Sequence, residues 1–229
     1  MTATPAEVAA VEPPETAART AKEVSQLHAF LAAVYREEMD TPMLRALRDP
    51  GIMSSLAQAG MVLDPRVREG PEQEVLEELA VEYAALFLGP GGHISPYESV
   101  YAEGGTGTLW GEETVAVRRY VEAAGFEYGE KHAGIPDHIS VELEFMSELA
   151  RREAEAWARQ DRPAAANCLE YQQEFMSEHL GTWVFRFCDR VVEEAGLSFY
   201  RDIATLSSEF LRGEREDIPR RLARARGQG

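Results

Sequence analysis

The hydrophobic residues of this chain recur at the three- and four-residue spacing that is typical of amphipathic helices. Three stripes show this spacing clearly. They are Val24, Leu27, Leu31 and Val34; Val75, Leu79, Tyr83 and Leu86; and Ile139, Leu143, Met146 and Leu149. No segment alternates apolar and polar residues between hairpin turn signals, as a half-buried strand would. The pattern therefore predicts an all-α fold.

Prolines, capping residues and breaks in the pattern set the expected helix boundaries. The first helix is predicted to begin near Ala21. The second helix is predicted to begin at residue 41. The later helices are predicted to cover about 52–59, 71–88, 112–124, 136–159, 163–180, 182–195 and 198–212. We expect one globular helical domain of about eight to ten helices over residues 21–212. Residues 1–20 and the basic residues 213–229 are predicted to be flexible tails.

The 229 residues carry a formal net charge of −17. Such a field repels nucleic acid and anionic lipid and favours basic partners, although it can also serve solubility alone. No apolar run approaches the roughly 20 residues of a membrane span, and the first residues lack the pattern of a secretory signal. We therefore expect a cytoplasmic protein without stable membrane insertion. Cys168 and Cys188 form no CxxC motif, and reduced thiols fit that compartment.

The segment from Gly134 to Met146 places a proline, an acid and a histidine just before a strongly apolar stripe. Pro136 suits the first position of a helix, where its missing N–H costs nothing. Asp137 can accept from the free amides of the first turn and is favoured there by the helix dipole. Asp137 and His138 are thus held at a fixed point, either as a helix cap or as part of a binding site.

Signals for catalysis or metal binding are weak. His138 and Glu142 are four residues apart and could share a metal, but two ligands are too few for a site, and an intrahelical contact is the simpler interpretation. No histidine completes an HExxH motif, and no Gly-x-Ser-x-Gly elbow supplies a nucleophile. The glycine-rich residues 104–107 lack the lysine of a P-loop, which leaves open only a weak nucleotide contact.

The longest irregular stretch, roughly residues 89–109, has the length of a functional or mobile loop. A hinge near it could allow domain swapping. Apolar and aromatic residues cluster in and around it: Leu86, Phe87, Pro90, Pro96, Tyr97 and Tyr101. Beside an acidic body, such groups suit a peptide that carries an apolar segment next to arginines. The alternative is that they pack into the core.

Three segments follow one another in a specific order: Glu82–Pro90, Pro96–Tyr101 and Pro136–Met146. Together they resemble the TorD/DmsD/NarJ family of redox-enzyme maturation chaperones, and the second and third are more similar to its TorD and DmsD members. The run His179–Trp183 and the pair Phe199–Tyr200 resemble the C-terminal helices of that family. The resemblance covers roughly residues 24–212.

The resemblance implies an all-helical, cytoplasmic protein that is not an enzyme. Its members bind an apo-molybdoenzyme catalytic subunit of the dimethyl-sulfoxide-reductase family, through its twin-arginine leader or its body, until molybdenum cofactor is inserted. Peptide contacts are implied for Leu86, Phe87, Pro96, Tyr97, Ser99, Pro136, Asp137, His138 and Glu142. In this scheme Asp137 pairs with a leader arginine and His138 donates to a peptide carbonyl. Leu86, Phe87 and Tyr97 bury the leader's apolar segment.

No cofactor or metal is expected to be bound stoichiometrically. A transient contact with molybdopterin cofactor or a guanine nucleotide stays open, as does the choice between a monomer and a domain-swapped dimer. Two other functions also stay open. One is a NarJ-like assembly chaperone that acts on the enzyme body without a leader. The other is a metal-dependent or hydrolytic helical enzyme that uses His138 and Glu142.

Overall fold

The computed structural model describes residues 13–89, 93–102, 112–126 and 135–227. Its helices are α1 (Pro14–Arg36), α2 (Thr41–Leu47), α3 (Pro50–Gln58), α4 (Pro65–Glu69), α5 (Glu72–Tyr83), α6 (Glu98–Tyr101), α7 (Glu112–Ala123), α8 (Ile139–Ala158), α9 (Arg162–Phe175), α10 (Gly181–Glu194) and α11 (Ser198–Ala225). A π-helical segment, Ala84–Leu88, continues α5, and another, Met176–Leu180, joins α9 to α10. Within these ranges no strand is present, and the predicted all-α fold is confirmed.

Four helices begin with the same device, an aspartate N-cap followed by a proline in the first turn. The aspartates are Asp40, Asp49, Asp64 and Asp161, which cap α2, α3, α4 and α9. Each carboxylate accepts from a free backbone N–H, while the proline removes a donor that would have no partner. The Asp64–Pro65 pair shows this capping signal in the sequence. α4 was nevertheless not predicted, because its single turn shows no apolar period.

The three predicted stripes form the centre of the core. α1 packs along α8, α8 against α9, and α11 against both α9 and α10. Every residue of the α5 and α8 stripes is buried, as are Val24, Leu31 and Val34 of α1. The apolar period therefore identified the inward faces correctly, because burial of those faces is what stabilises long helices in a small protein.

An aromatic cluster closes the core where α1, α5, α10 and α11 meet. Its members are Tyr35, Tyr83, Phe87, Phe187 and Tyr200. Phe87 lies with its ring centroid 5.0 Å from that of Tyr83 and 6.0 Å from that of Phe187. Both Leu86 and Phe87 are only 5% exposed. These two predicted peptide contacts are therefore core residues in this structure.

The C-terminal region differs from the predicted flexible tail. α11 continues to Ala225, and Ile218, Leu222 and Ala225 are buried. Arg221, whose side chain is 10% exposed, pairs with Glu153 of α8 and with Glu214. The prediction was wrong because the arginine-rich composition hid an apolar stripe at helical spacing.

The N-terminal helix begins earlier than expected, at Pro14, which occupies its first position. Alanine-rich residues after that proline favour a helix even without a long apolar stripe. The rest of the predicted N-terminal tail lies outside the described residues. None of the helices in the described ranges is both long and apolar enough to cross a membrane.

Candidate functional site

Two segments far apart in the chain meet at the start of α8. The Ile139 N–H donates to the Pro96 carbonyl at 2.9 Å, and the Glu98 N–H donates to the Asp137 carbonyl at 3.0 Å. This short antiparallel pairing sets Tyr97 beside His138. The two residues form the one isolated β-bridge in the described part of the chain. The second and third segments of the family resemblance therefore meet in space.

Pro136 begins a turn and not a helix. The His138 N–H donates to the Ile135 carbonyl at 3.0 Å, which closes a four-residue turn with Pro136 in its second position. α8 starts at Ile139, and His138 is its N-cap because its Nδ1 accepts from the Ser140 N–H at 3.1 Å. The predicted helix start was three residues early, since proline suits the second position of a turn as well as the first position of a helix.

Asp137 does not cap α8, as the sequence suggested, but binds two other elements. Its Oδ2 accepts from the Ser99 N–H of α6 at 3.0 Å, and its Oδ1 accepts from the Thr114 hydroxyl of α7 at 2.9 Å. The side chain is fully buried, with 0% exposure. The carboxylate satisfies a free amide in the first turn of α6. It offers no oxygen to the surface in this structure.

Tyr97 and His138 form the accessible part of the predicted site. Their ring centroids lie 4.9 Å apart, with the planes nearly perpendicular, and both side chains are partly buried. Burial lowers the pKa of His138 to about 4, although the Asp137 charge opposes this shift. The ring is therefore neutral at pH 7. Because Nδ1 accepts from Ser140, the ring proton resides on Nε2, which is left as a donor.

A buried acidic cluster lies behind this pair. Nδ1 of His179 is 3.3 Å from both carboxylate oxygens of Glu98. The Trp183 indole N–H donates to Oε2 of Glu142 at 3.2 Å. Burial, and then the charge of Glu98, raise the pKa of Glu142 well above its usual range. The protonated form of Glu142 is therefore favoured at pH values where an exposed glutamate would be ionised.

The second π-helical segment positions His179 in this cluster. A π turn inserts an extra residue into a helix, and such turns are frequent at functional sites. Sequence reasoning gave no role to Glu98, Thr114, His179 or Trp183. A signal was nevertheless present, because Glu98 and the run His179–Trp183 belong to the segments that carry the family resemblance.

The nine predicted contacts thus fall into three groups. Leu86 and Phe87 are in the core. The junction, where the segment around α6 meets the start of α8, contains five buried residues: Pro96, Ser99, Pro136, Asp137 and Glu142. Tyr97 and His138 are partly exposed. Residues 104–107 and Pro90 lie outside the described residues. The assignment of this set to a peptide site stays a prediction.

The side chains of His138 and Glu142 make separate contacts, and the two residues are joined through the backbone, where the Glu142 N–H donates to the His138 carbonyl at 3.1 Å. His138 precedes α8 and its Nδ1 lies 2.7 Å from the Ser140 hydroxyl, whereas Glu142 contacts Trp183. The predicted intrahelical side-chain contact is therefore not formed, because the helix begins one residue after the histidine. In the described ranges, no three His, Cys, Asp or Glu side chains are grouped so that they could hold a metal ion.

A groove of about 410 Å³ runs between α1, α7 and α8. Its lining includes Ala29, Ala33, Val121, Phe126, Val141 and Phe145. The Arg152 guanidinium lies 3.8 Å from the centroid of the Phe126 ring. Arg36, which pairs with Glu144, also lines the groove and is close enough to His138 for its charge to lower the pKa of that histidine. Arg36 is thus the lining residue that connects the groove electrostatically to His138.

Asp137→Asn tests the structural role of the junction. An amide replaces one acceptor oxygen by a donor, so the Ser99 N–H loses its charged acceptor and the Thr114 hydroxyl can no longer donate to a carboxylate. We expect the free energy of unfolding to fall by about 1.5–3 kcal/mol, measured by chemical denaturation. Asp161→Asn is the matched control, because Asn caps a helix about as well as Asp and this cap is exposed. If both substitutions lowered the free energy of unfolding equally, Asp137 would not have this structural role in the junction.

Comparison with known proteins places this geometry in a family. The model of the family described as nitrate reductase delta subunit matches residues 21–189. A chaperone protein TorD of Vibrio cholerae is 28% identical over 144 residues, which are 62% of this chain and 63% of that protein. A chaperone protein TorD of Vibrio vulnificus is 29% identical over 139 residues, or 60% of this chain and 63% of that protein.

A chaperone protein TorD of Shewanella pealeana is 23% identical over 208 residues, which are 84% of this chain and 88% of that protein. The matches to the Vibrio proteins span 63% of their length. The family model covers well over half of the chain, and the named relatives are all TorD proteins. The chain therefore belongs to the nitrate reductase delta subunit family, which includes NarJ and TorD, and lies on its TorD side.

Proposed function

We propose that this protein is a cytoplasmic chaperone for an apo-molybdoenzyme catalytic subunit of the dimethyl-sulfoxide-reductase family. It binds the twin-arginine leader of that client and assists insertion of molybdenum cofactor before export or assembly, with no bond made or broken. Family membership and relatives named as TorD chaperones support this role. The observation that carries the leader-binding proposal is the partly exposed Tyr97–His138 pair together with the groove of α1, α7 and α8.

The His138 ring supplies a directional contact to the leader. It is neutral at pH 7 because burial lowers its pKa to about 4, and Nδ1 is already used by α8. The Nε2–H is therefore the group that donates to a peptide carbonyl. The neighbouring Tyr97 ring covers an apolar side chain of the same peptide.

The leader's apolar segment is assigned to the groove and no longer to Leu86 and Phe87. Those two side chains are covered by the core, whereas the groove is open and has an apolar floor. Its volume falls in the range of about 300–1,000 Å³ that is typical of ligand sites. The small exposed residues Ala29 and Ala33 allow a peptide to approach the α1 backbone closely.

The leader arginines are assigned to exposed acids and not to the buried Asp137. Glu37 and Glu38 follow Arg36 at the end of α1 and are both exposed. The net charge of −17 attracts a basic leader over a longer range and raises its rate of association.

His138→Asn tests the donor while keeping an N-cap, since Asn is among the best capping residues. The loss of one neutral hydrogen bond, about 0.5–1.5 kcal/mol, should weaken leader binding by about 2- to 10-fold. Calorimetry would measure this with the leader peptide of the client catalytic subunit from the same organism. Unchanged affinity in a folded variant would remove His138 from the site.

Ala33→Trp tests the groove by filling it. Exclusion of one apolar side chain, worth about 1.5–3 kcal/mol, should weaken binding of the same peptide by about 10- to 100-fold. Ala57→Trp is the matched control, because Ala57 is an exposed residue of α3 that does not line the groove. If both variants bind like the wild type, the peptide does not occupy this groove.

Deletion of the leader from the purified apo catalytic subunit separates this proposal from body recognition. Leader-dependent binding should weaken by at least about tenfold, because the contacts described above are all made by the leader. Surface plasmon resonance with the intact and leaderless clients measures the difference. Retained affinity for the leaderless client would favour the NarJ-like alternative.

A further inference from the structure

We propose that the buried carboxyl pair Glu98–Glu142 holds one proton that keeps the leader site assembled, so that leader affinity falls when this proton is lost. The inference rests on the proposed function, because it concerns the regulation of the same site. It depends on the contacts of the pair, on the charges around it and on its attachment to Tyr97 and His138.

The contacts of the pair require a proton on Glu142. Glu142 is fully buried, and Glu98 is 6% exposed. Oε2 of Glu142 accepts from Trp183, but its Oε1 is buried and has no hydrogen-bond partner among the described residues. A charged carboxylate is costly in such a place, whereas a neutral carboxyl group carries its own donor. Burial and the charge of Glu98 raise the pKa of Glu142 accordingly.

The surrounding charges do not neutralise the pair. Asp137 faces it from the segment before α8 and adds a third carboxylate. His179 is the basic group that contacts it from the π-helical segment after α9. The charges of Glu98 and Asp137 both disfavour ionisation of Glu142, in addition to its burial.

The other packed elements bring no cation into contact with the pair in the described structure. α7 presents the Thr114 hydroxyl to Asp137, and its Tyr120 ring lies 5.7 Å from that of His179. α6 presents Tyr101, whose carbonyl accepts from Arg186 of α10 at 2.6 Å. The Arg186 guanidinium lies 5.6 Å from the Tyr101 ring centroid and is thus engaged with Tyr101.

The protonation state of the Glu98–Glu142 pair is linked mechanically to the geometry of the Tyr97–His138 pair. Glu98 begins α6 and follows Tyr97, while Asp137 precedes His138 and binds Ser99 of α6. A second negative charge would repel Glu98 from Glu142 and so push α6 away from α8. α6 has only four residues, so it moves as a unit, and Tyr97 separates from His138.

The sign of the pH dependence follows from the raised pKa of Glu142. Its ordinary pKa is 4.5, and its folded-state pKa lies well above that value. Between these two values the folded chain keeps a proton that the unfolded chain has released. Stability therefore declines as pH rises from 4.5 through the folded pKa, and it is constant above that value with respect to this group.

Glu142→Gln is the decisive variant, because Gln is isosteric with the protonated acid and cannot ionise. We expect wild-type affinity for the leader peptide to fall by about tenfold or more as pH rises from near 4.5 through the folded-state pKa of Glu142. The Gln variant should bind within about twofold of its own value over this range. Glu155→Gln, an exposed acid on the same helix, should retain the wild-type profile.

Two further measurements keep the test independent of folding and of the proposed function. Denaturation should show that the wild type loses stability towards alkaline pH and that the Gln variant does not. Carbon-13 NMR of the wild-type Glu142 carboxyl should give a titration midpoint well above 4.5.

A carboxyl midpoint near the ordinary value, or identical pH profiles of wild type and Glu142→Gln, would overturn the inference. A wild-type chain that binds no leader at any pH would instead overturn the proposed function and the link to affinity. The NMR titration would still decide by itself whether the pair holds a proton.

Discussion

The Asp137 carboxylate is the interaction on which the site depends. It is one buried group that accepts from α6 through Ser99 and from α7 through Thr114, while its own backbone leads into α8. Three elements are thereby fixed at one point. Hydrogen bonds to a charged acceptor are stronger than neutral ones, which suits a group that must hold short segments without a large apolar interface. The ring pair Tyr97–His138 lies on the outer side of this joint and takes its geometry from it.

The sequence predicted the fold well and the site only in part. The α8 stripe and the α5 stripe proved to be buried, because apolar periodicity reports directly on which face a helix packs. The same periodicity cannot say what covers a given face. Leu86 and Phe87 read equally well as core or as a peptide surface, and only the rings of Tyr35, Phe187 and Tyr200 decide for the core. Asp137 was recognised as a capping acid, but the helix that it serves lies 38 residues earlier in the chain.

Buried polar chemistry was the hardest part to foresee. Glu98, Glu142 and His179 come from three different elements, and no local pattern connects them. Such groups acquire their properties from desolvation and from neighbours distant in sequence, both of which require the fold. Arg36 illustrates the same limit, since its place between the groove and His138 follows from the packing of α1 on α8. Family resemblance drew attention to the segments involved, whereas their division into support and surface came from the structure.

The length of α6 has a consequence for the order of folding. A four-residue helix cannot persist alone, because nucleation costs more than one turn returns. It forms only after the chain of 38 residues between Ser99 and Asp137 has closed onto the start of α8, which has an entropic cost. The binding surface should thus be among the last parts to form and among the first to open by local unfolding. A bound leader would therefore stabilise the part of the native state that has the lowest local stability.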